Sequence, residues 1–183
     1  MKIRTTQIAG VEIVENQYME DSRGFFGRLF CQQELGEVLG ERQVVQVNHS
    51  HTKQLGSVRG FHYQKPPYAE MKLVRCIKGK VWDVVVDLRA GSPTFLQWFT
   101  QELSEENNKV MVIPEGCAHG FQILQENSEL IYLHTAPYTP EAEGGVHVAD
   151  PVLAVDWPLP ITGLSARDES LPNIERNFLG ITL

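Results

Sequence analysis

Short runs of β-branched and aromatic residues fill the middle of the chain, and they constrain its fold more than any other feature. Turn residues, either single Gly, Pro and Asn or Lys-Gly pairs, separate one run from the next. The runs lie at residues 43–48, 71–77, 81–88, 95–103, 110–113, 121–124 and 129–135. Many short strands with a turn signal about every ten residues predict an all-β antiparallel sandwich or barrel.

The run Val81–Leu88 shows the alternation of a strand with two different faces. Trp82, Val84, Val86 and Leu88 share one face, while Asp83 and Asp87 fall on the other. A carboxylate inside such an apolar strand is expensive to bury unless it is paired. The pattern therefore predicts a strand with one core face and one face that carries charge.

The segments outside these runs are predicted to frame the β body. Residues 3–15 are typical of a strand, and residues 21–24 have the composition of a turn. Residues 31–39 are the best helix candidate, with Gly40 as the stop signal. The irregular tail, residues 150–183, is rich in proline and is expected to pack over the strands.

Length and composition indicate one globular domain. A chain of 183 residues fits a single domain, 1–183, with a full hydrophobic core. Its hydrophobic fraction of 42% and charged fraction of 21% are ordinary for a soluble protein. No apolar run approaches the roughly 18 residues of a membrane span, and the first residues lack the apolar region of a signal peptide. The expectation is a cytoplasmic protein without a membrane partner.

Charge and cysteine content exclude two further classes. A net charge of −7 argues against general affinity for nucleic acid, which needs a basic face. An anionic ligand is still compatible with locally focused positive charge, and four cations lie close in sequence: Arg59, Lys65, Lys72 and Arg75. The three cysteines, Cys31, Cys76 and Cys117, have no C-x-x-C spacing and are predicted to be reduced rather than a disulfide framework.

Residues 57–89 are the candidate site. Here His62 lies among strand-like apolar residues, with several charged groups close by, and a second short run, residues 114–120, contains His119. Titratable groups in β-rich apolar sequence usually serve chemistry or are tightly paired. His62 itself is compatible with three roles, namely a hydrogen-bonded core histidine, a metal ligand or a general base.

A metal site is disfavoured by the ligands that this region offers. Such a site needs three or four His, Cys or carboxylate ligands at suitable spacing. Gln64 stands where a second histidine would be needed, and Lys72 stands where a carboxylate would be needed. His119 alone cannot complete a site, so a metal is disfavoured without being excluded.

Three other residues each have an ordinary and a functional interpretation. Lys72 is either a solvated strand-edge lysine or a cation held in a pocket to stabilise an oxyanion. Tyr132 is either a sheet aromatic or a general acid. Asp168 has the look of a surface turn residue, and nothing in its spacing joins it to His62.

Several long motifs, in order along the chain, carry a resemblance to a known family. They are DSRGFF (21–26), QVNHS (46–50), VRGFHYQ (58–64), KLVRCIKGKVWDVVVDLRAGSPTF (72–95), IPEGCAHGF (113–121), YTP (138–140), DP (150–151) and LSARD (164–168). The chain resembles the dTDP-4-dehydrorhamnose 3,5-epimerases, which are nucleotide-sugar epimerases of the cupin superfamily. The resemblance covers roughly residues 21–172, and the number of motifs makes it specific.

The resemblance implies a fold and a reaction. The fold is a cupin jelly roll, or double-stranded β-helix, with a few short helices, and the protein is expected to be a homodimer. The reaction is a cofactor-free and metal-free inversion of C3 and C5 in a dTDP-linked 4-keto-6-deoxyhexose, as in dTDP-rhamnose and polysaccharide biosynthesis.

The same resemblance implies a role for each candidate residue. His62 is the base, and Asp168 orients its imidazole. Lys72 faces the C4 oxygen, and Tyr132 returns a proton from the opposite face of the sugar. The substrate-binding set is Arg59, for the diphosphate, together with Arg23, Phe26, Gln46, Asn48, His119 and Tyr138.

Three positions depart from the family pattern, and one feature conflicts with simple strand geometry. Arg28 and Glu70 stand where members tend to carry glutamate and glutamine, and His147 where many show tryptophan. Strict alternation would put Arg59 and His62 on opposite faces, which a bulge or turn near Gly60 would resolve.

The departures leave several functions open at this point. Within the enzymes, the alternative is a 3-epimerase or a ketoisomerase acting on a related sugar. The others are a metal-binding cupin, either an oxygenase or a metal sensor, and a non-catalytic sugar-nucleotide binder.

Overall fold

The computed structural model describes residues 1–183, and it is built almost entirely from antiparallel strands. The strands are β1 (Lys2–Thr5), β2 (Glu12–Glu15), β3 (Tyr18–Asp21), β4 (Gly24–Gly27), β5 (Gln46–Thr52), β6 (Val58–Gln64), β7 (Lys72–Lys78), β8 (Lys80–Asp87), β9 (Trp98–Ser104), β10 (Lys109–Ile113), β11 (Cys117–Ile123), β12 (Ser128–His134) and β13 (Glu143–Gly145). The helices α1 (Gly36–Leu39) and α2 (Ala166–Glu169) each make about one turn, and a 3₁₀ turn covers Pro140–Ala142.

Two sheets face each other around the main core. One has six strands in the order β1-β2-β10-β7-β12-β5, and the other has five in the order β13-β6-β11-β8-β9. The core between them takes side chains from both sheets, including Met111 and Leu130 from the first and Val85, Leu103 and Phe121 from the second. The predicted all-β antiparallel sandwich is confirmed.

The outer face of the five-stranded sheet is covered by the tail. Val84 and Val86 of β8, and Leu88 just after it, lie in this second apolar cluster, whereas Val81 and Val85 point into the main core. Tail residues that belong to this cluster or pack against it include Leu153, Trp157, Leu164, Ile174 and Phe178. Both the alternation of the run 81–88 and the packing of the tail over the strands are confirmed.

The predicted helix at residues 31–39 is largely wrong. Only α1, at its C-terminal end, is helical, and Leu35 and Leu39 bury themselves against the outer face of the six-stranded sheet. Gly36 is the first residue of α1, and glycine disfavours extending the helix through it toward residue 31. Gly40 does end the helix, with φ of 58° and its N–H bonded to the Gly36 carbonyl at 2.9 Å.

Several strand boundaries also differ from the prediction. Residues 3–15 form the hairpin β1–β2 rather than one strand, because Gly10 turns the chain with φ of 79°. Residues 21–24 do form the turn between β3 and β4. The predicted strand 43–48 begins later, at Gln46, and β6 was not predicted because Gly60 interrupts its apolar pattern.

The register of three neighbouring strands aligns polar side chains on the inner face of the six-stranded sheet. Lys72 on β7 is the partner of His134 on β12, which in turn is the partner of Gln46 on β5. One step further along β12, Tyr132 is the partner of Asn48. These rows face β6 of the other sheet and form the wall of a cavity. None of the helices is long and apolar enough to cross a membrane.

Candidate active site

A cavity of about 520 Å³ opens between the two sheets. It gathers seven of the residues singled out from the sequence: Asn48, Arg59, His62, Lys72, His119, Tyr132 and Tyr138. His62 and Arg59 come from β6 of the five-stranded sheet, whereas Lys72 and Tyr132 come from the six-stranded sheet. A ligand in the cavity would therefore meet His62 on one wall and Tyr132 on the facing wall.

His62 and Asp168 form a hydrogen-bonded pair. The Nε2 atom of His62 lies 2.7 Å from Oδ1 of Asp168, although the two residues are 106 positions apart. The aspartate side chain is buried, and the imidazole is 29% exposed toward the cavity. Burial raises the pKa of Asp168, but the hydrogen bond and the charge of His62 outweigh it and leave the pKa below its usual value. Asp168 is therefore an ionised carboxylate in direct contact with the imidazole.

The short helix α2 holds Asp168 in place. Ser165 is its N-cap and accepts a hydrogen bond from the backbone N–H of Asp168 at 3.0 Å. The backbone N–H of Gly60 lies 3.5 Å from the second carboxylate oxygen. The tail and β6 together thus hold the Asp168 carboxylate in the position where it contacts His62.

A second pair, His119 and Asp83, lies deeper in the same cavity. Their Nε2 and Oδ1 atoms are 2.8 Å apart, and both side chains are buried. Burial raises the pKa of the Asp83 carboxyl above its usual value. This pair belongs to β8 and β11, two neighbouring strands of the five-stranded sheet.

Tyr132 and Lys72 supply a proton donor and a cation on the facing wall. The Tyr132 hydroxyl is hydrogen-bonded to Ser50 Oγ at 3.0 Å, and burial raises the pKa of the phenol, so that it stays protonated. Lys72 is buried, with its Nζ 3.4 Å from Glu70 Oε1. A cation in so dry a site acts strongly on a nearby developing negative charge.

Sequence reasoning missed His134, which is also part of this wall. His134 Nδ1 lies 2.7 Å from Glu70 Oε2, and both residues line the cavity. The signal was present in the sequence, because Tyr132 and His134 are two positions apart in a strand and so share a face. Glu70 was noticed only as a departure from the family pattern.

A register shift brings Arg59 and His62 into the same cavity. On β11, His119 is the partner of His62, but Phe121 is the partner of Arg59, so one extra residue lies on β6 at Gly60–Phe61. This is the irregularity that the alternation required. Gly60 has φ of 122°, and a Cβ there would lie 2.6 Å from the Gly120 Cα, so a side chain has no room. Arg59 Nε donates to Thr52 Oγ1 at 2.9 Å.

Hydrogen bonds connect the polar residues at the edge of the cavity. Gln46 donates to Asn48 at 3.1 Å and accepts from the backbone N–H of Tyr138 at 3.0 Å. The Tyr138 hydroxyl donates to Glu143 at 2.7 Å. Gln46 and Tyr138 therefore lie together beside the cavity, as their shared assignment to a binding pocket required.

Other residues named from the sequence lie elsewhere. Arg23 and Phe26 are on the exposed β3–β4 hairpin and do not line the cavity within one chain. Lys65 also lies outside the cavity, and Arg75 points outward to Tyr18. Of the four clustered cations, only Arg59 and Lys72 line the cavity. Arg28 pairs with Glu34 at the surface, and His147 lies away from the cavity.

The potential metal ligands of the cavity are arranged as separate pairs. His62, His119 and His134 are each bonded to a different carboxylate. No group of three His, Cys or carboxylate side chains converges on one point. All three cysteines are free thiols, and burial raises the pKa of both Cys76 and Cys117 to about 12.

Fold and cavity together define a jelly-roll protein with a histidine–aspartate pair and a phenol on facing walls. Comparison with known proteins is consistent with this geometry. The family described as dTDP-4-dehydrorhamnose 3,5-epimerase matches residues 5–176. The dTDP-4-dehydrorhamnose 3,5-epimerase of Salmonella typhimurium is 41% identical over 98% of this chain and 98% of its own.

Solved structures give the same result. The dTDP-6-deoxy-D-glucose-3,5-epimerase of Legionella pneumophila, in complex with dTDP-4-keto-L-rhamnose, is 40% identical with a TM-score of 0.90 and covers 98% of this chain and 97% of its own. ChmJ, a 3′-monoepimerase from Streptomyces bikiniensis in complex with dTDP-quinovose, is 33% identical with a TM-score of 0.84 over 92% of this chain and 85% of its own.

The chain belongs to the dTDP-4-dehydrorhamnose 3,5-epimerase family. It is an epimerase, of the isomerase class of enzymes, and the cupin-like jelly roll inferred from the motifs is confirmed.

Proposed function

We propose that this protein inverts both C3 and C5 of a dTDP-linked 4-keto-6-deoxyhexose, in deoxysugar synthesis of the dTDP-rhamnose type. The observation that carries the proposal is the placement of His62 and Tyr132 on facing walls of one cavity, with Lys72 beside Tyr132. Inversion requires a proton to leave one face of a carbon and another to arrive on the opposite face. A single group would only return the proton that it took.

The chemistry begins with the C4 ketone, which acidifies the hydrogens on C3 and C5. His62 removes one of these protons, and the electron pair of the C–H bond moves into an enolate whose charge lies on the C4 oxygen. The Lys72 ammonium stabilises that oxygen. Tyr132 then delivers its phenolic proton to the opposite face of the carbon, and exchange with solvent restores both side chains. The steps are balanced without any change of oxidation state, so the proposed reaction needs no metal and no redox cofactor.

The substrate is anchored by its nucleotide. Arg59 offers a planar guanidinium that suits a diphosphate, and it enters the cavity from the same strand as His62. Gln46, Asn48, His119 and Tyr138 are the proposed contacts to the remaining parts of the nucleotide and sugar. The complex of the Legionella relative with dTDP-4-keto-L-rhamnose supports a dTDP-sugar as the ligand.

The assembly that fits these residues is a cytoplasmic homodimer. The hairpin β3–β4 exposes Met19, Phe25 and Phe26 to between 66% and 72%, and exposed apolar patches of this kind mark interaction surfaces. Arg23 and Phe26, assigned to substrate binding, lie on this hairpin and outside their own chain's cavity. We therefore place them at the cavity of a second copy.

Proton NMR of dTDP-4-keto-6-deoxyglucose with the enzyme in heavy water tests the proposal. We expect solvent deuterium to enter at both C3 and C5, with inversion at each. Exchange confined to C3 would indicate a 3-epimerase instead of a double epimerase. ChmJ, a 3′-monoepimerase, is a relative of that kind. If deuterium enters at neither C3 nor C5, the proposal is refuted.

A further inference from the structure

The cavity wall opposite His62 contains a network that the proposed reaction does not use. Glu70 receives two contacts, His134 Nδ1 at 2.7 Å from Oε2 and Lys72 Nζ at 3.4 Å from Oε1. The three side chains are only 8% to 12% exposed. Glu70 is the one carboxylate within 4 Å of the Lys72 ammonium.

The strand register makes this arrangement rigid. Lys72 and His134 are direct partners between β7 and β12. Glu70 precedes β7, and the neighbouring Met71 N–H is bonded to Thr135 Oγ1 at 2.9 Å, which ties this segment to the end of β12. The position of Glu70 is thus fixed by the same two strands that carry its partners.

The hydrogen bonds of the network have one direction. Asn48 Nδ2 lies 3.3 Å from His134 Nε2, so the amide can donate to that nitrogen while Nδ1–H donates to Glu70. Burial raises the pKa of Glu70, but the hydrogen bond from His134 and the attraction of Lys72 outweigh it and leave the pKa below its usual value. Glu70 is therefore an ionised carboxylate on which a histidine and a lysine converge.

We propose that Glu70 is a positioning residue of the epimerase: it aims the Lys72 ammonium at the oxygen that becomes negative, while His134 holds Glu70. This inference rests on the proposed function. A lysine ammonium sits on a flexible side chain, and a charged partner fixes its direction. Glu70 supplies that partner to Lys72 at 3.4 Å.

Asp83 of β8 also interacts electrostatically with Lys72, but it forms no ion pair with it. Lys72 forms its only ion pair with Glu70. The remaining titratable side chains of the lining are His49, Arg59, His62, Tyr63, His119, Tyr132, Tyr138 and Glu143.

The variant Glu70→Gln tests the inference, because it keeps the shape and removes the charge. We expect kcat to fall about tenfold, because the Lys72 ammonium is no longer aimed at the developing negative charge. KM should change less than kcat, because the contact strengthens only in the transition state. Glu70→Asp, which restores the charge, should recover most of the lost kcat.

A matched control is available on β12, the strand that carries His134. Glu129 also binds a histidine and a lysine, His49 at 3.0 Å and Lys78 at 3.1 Å, but it does not line the cavity. Glu129→Gln should leave both kcat and KM unchanged.

The outcomes separate this inference from the proposed function. If the unaltered enzyme shows no exchange with the dTDP-sugar, the proposed function fails. If that enzyme is active and Glu70→Gln keeps its kcat, or loses kcat only with an equal rise in KM, the role of Glu70 is refuted alone. If Glu70→Gln does not fold, as circular dichroism would reveal, His134→Phe removes the hydrogen bond that holds Glu70. A kcat that falls more than KM rises then supports the inference, and an unchanged kcat contradicts it.

Discussion

The cavity contains two histidine–aspartate pairs, His62–Asp168 and His119–Asp83, whose histidines lie on adjacent strands. The two hydrogen bonds between histidine and aspartate have nearly the same length. The two histidines are Cα partners between β6 and β11, and their bonds to aspartate are 2.7 and 2.8 Å long. Their surroundings differ. His62 is 29% exposed in the cavity, whereas His119 is 6% exposed and Asp83 has no exposure.

The aspartates explain the difference in surroundings. Asp83 lies in the middle of β8, with its Oδ2 buried and without a hydrogen-bond partner, and burial raises its pKa. Asp168 comes from the tail, receives hydrogen bonds from both His62 and a backbone N–H, and its pKa is lowered. The same pair of residue types thus occurs once with the pKa of the carboxyl lowered and once with it raised. Only the first arrangement, an ionised carboxylate beside an exposed imidazole, suits the base of the proposed reaction.

The largest expected effect comes from removing the exposed imidazole. His62→Asn should lower kcat by at least about 10³-fold, since a positioned general base contributes on the order of 10² to 10⁴. Deuterium incorporation at C3 and C5, followed by NMR, measures the loss. The circular dichroism spectrum should be unchanged, because His62 lies at a cavity rather than in the core.

The matched variant His119→Asn should behave differently. It leaves the Asp83 carboxyl without its histidine partner in a buried position, which costs about 2 kcal/mol of stability. The midpoint of urea unfolding should therefore fall more than in His62→Asn, while some deuterium exchange is kept. Equal losses of exchange in both variants at equal stability would erase the distinction between the pairs.

A smaller effect is expected from Asp168→Asn. The amide still accepts a hydrogen bond from His62 but carries no charge to stabilise the imidazolium, so kcat should fall by about 10²-fold while KM changes little. Steady-state rates at saturating dTDP-sugar measure this. A rate close to that of the unaltered enzyme would mean that His62 acts without its aspartate.

The sequence predicted the parts of the molecule that depend on local pattern. The strand body, the face of Val84 and Val86, and the packing of the tail follow from period-two alternation and proline content. The helix at residues 31–39 was overestimated, because its apolar spacing suggested a longer element than Gly36 allows.

What the sequence could not predict depends on contacts between distant strands. His62 and Asp168 are joined only by the motifs of the family, since 106 residues separate them and no spacing rule connects a strand to a tail. The pairing of Glu70 with His134 requires the register of β7 and β12. The location of Arg23 on an exposed hairpin, outside the cavity, depends on how that hairpin packs.

The smallest effect is the sharpest test of the two aspartates, because their pKa values shift in opposite directions. The stability contributed by Asp168, whose folded pKa is lowered, is present above its unfolded pKa and is lost as the pH falls through the folded pKa. For Asp83, whose folded pKa is raised, stability is fully present below the unfolded pKa and is lost as the pH rises through the folded pKa. Urea unfolding of Asp168→Asn and Asp83→Asn, each against the unaltered protein between about pH 3 and 7, measures both slopes. With rising pH, Asp168→Asn should become relatively less stable and Asp83→Asn relatively more stable, each by on the order of 1 kcal/mol. Slopes of the same sign would mean that folding shifts the pKa values of both carboxyls in the same direction, and the contrast between the two pairs would have to rest on exposure alone.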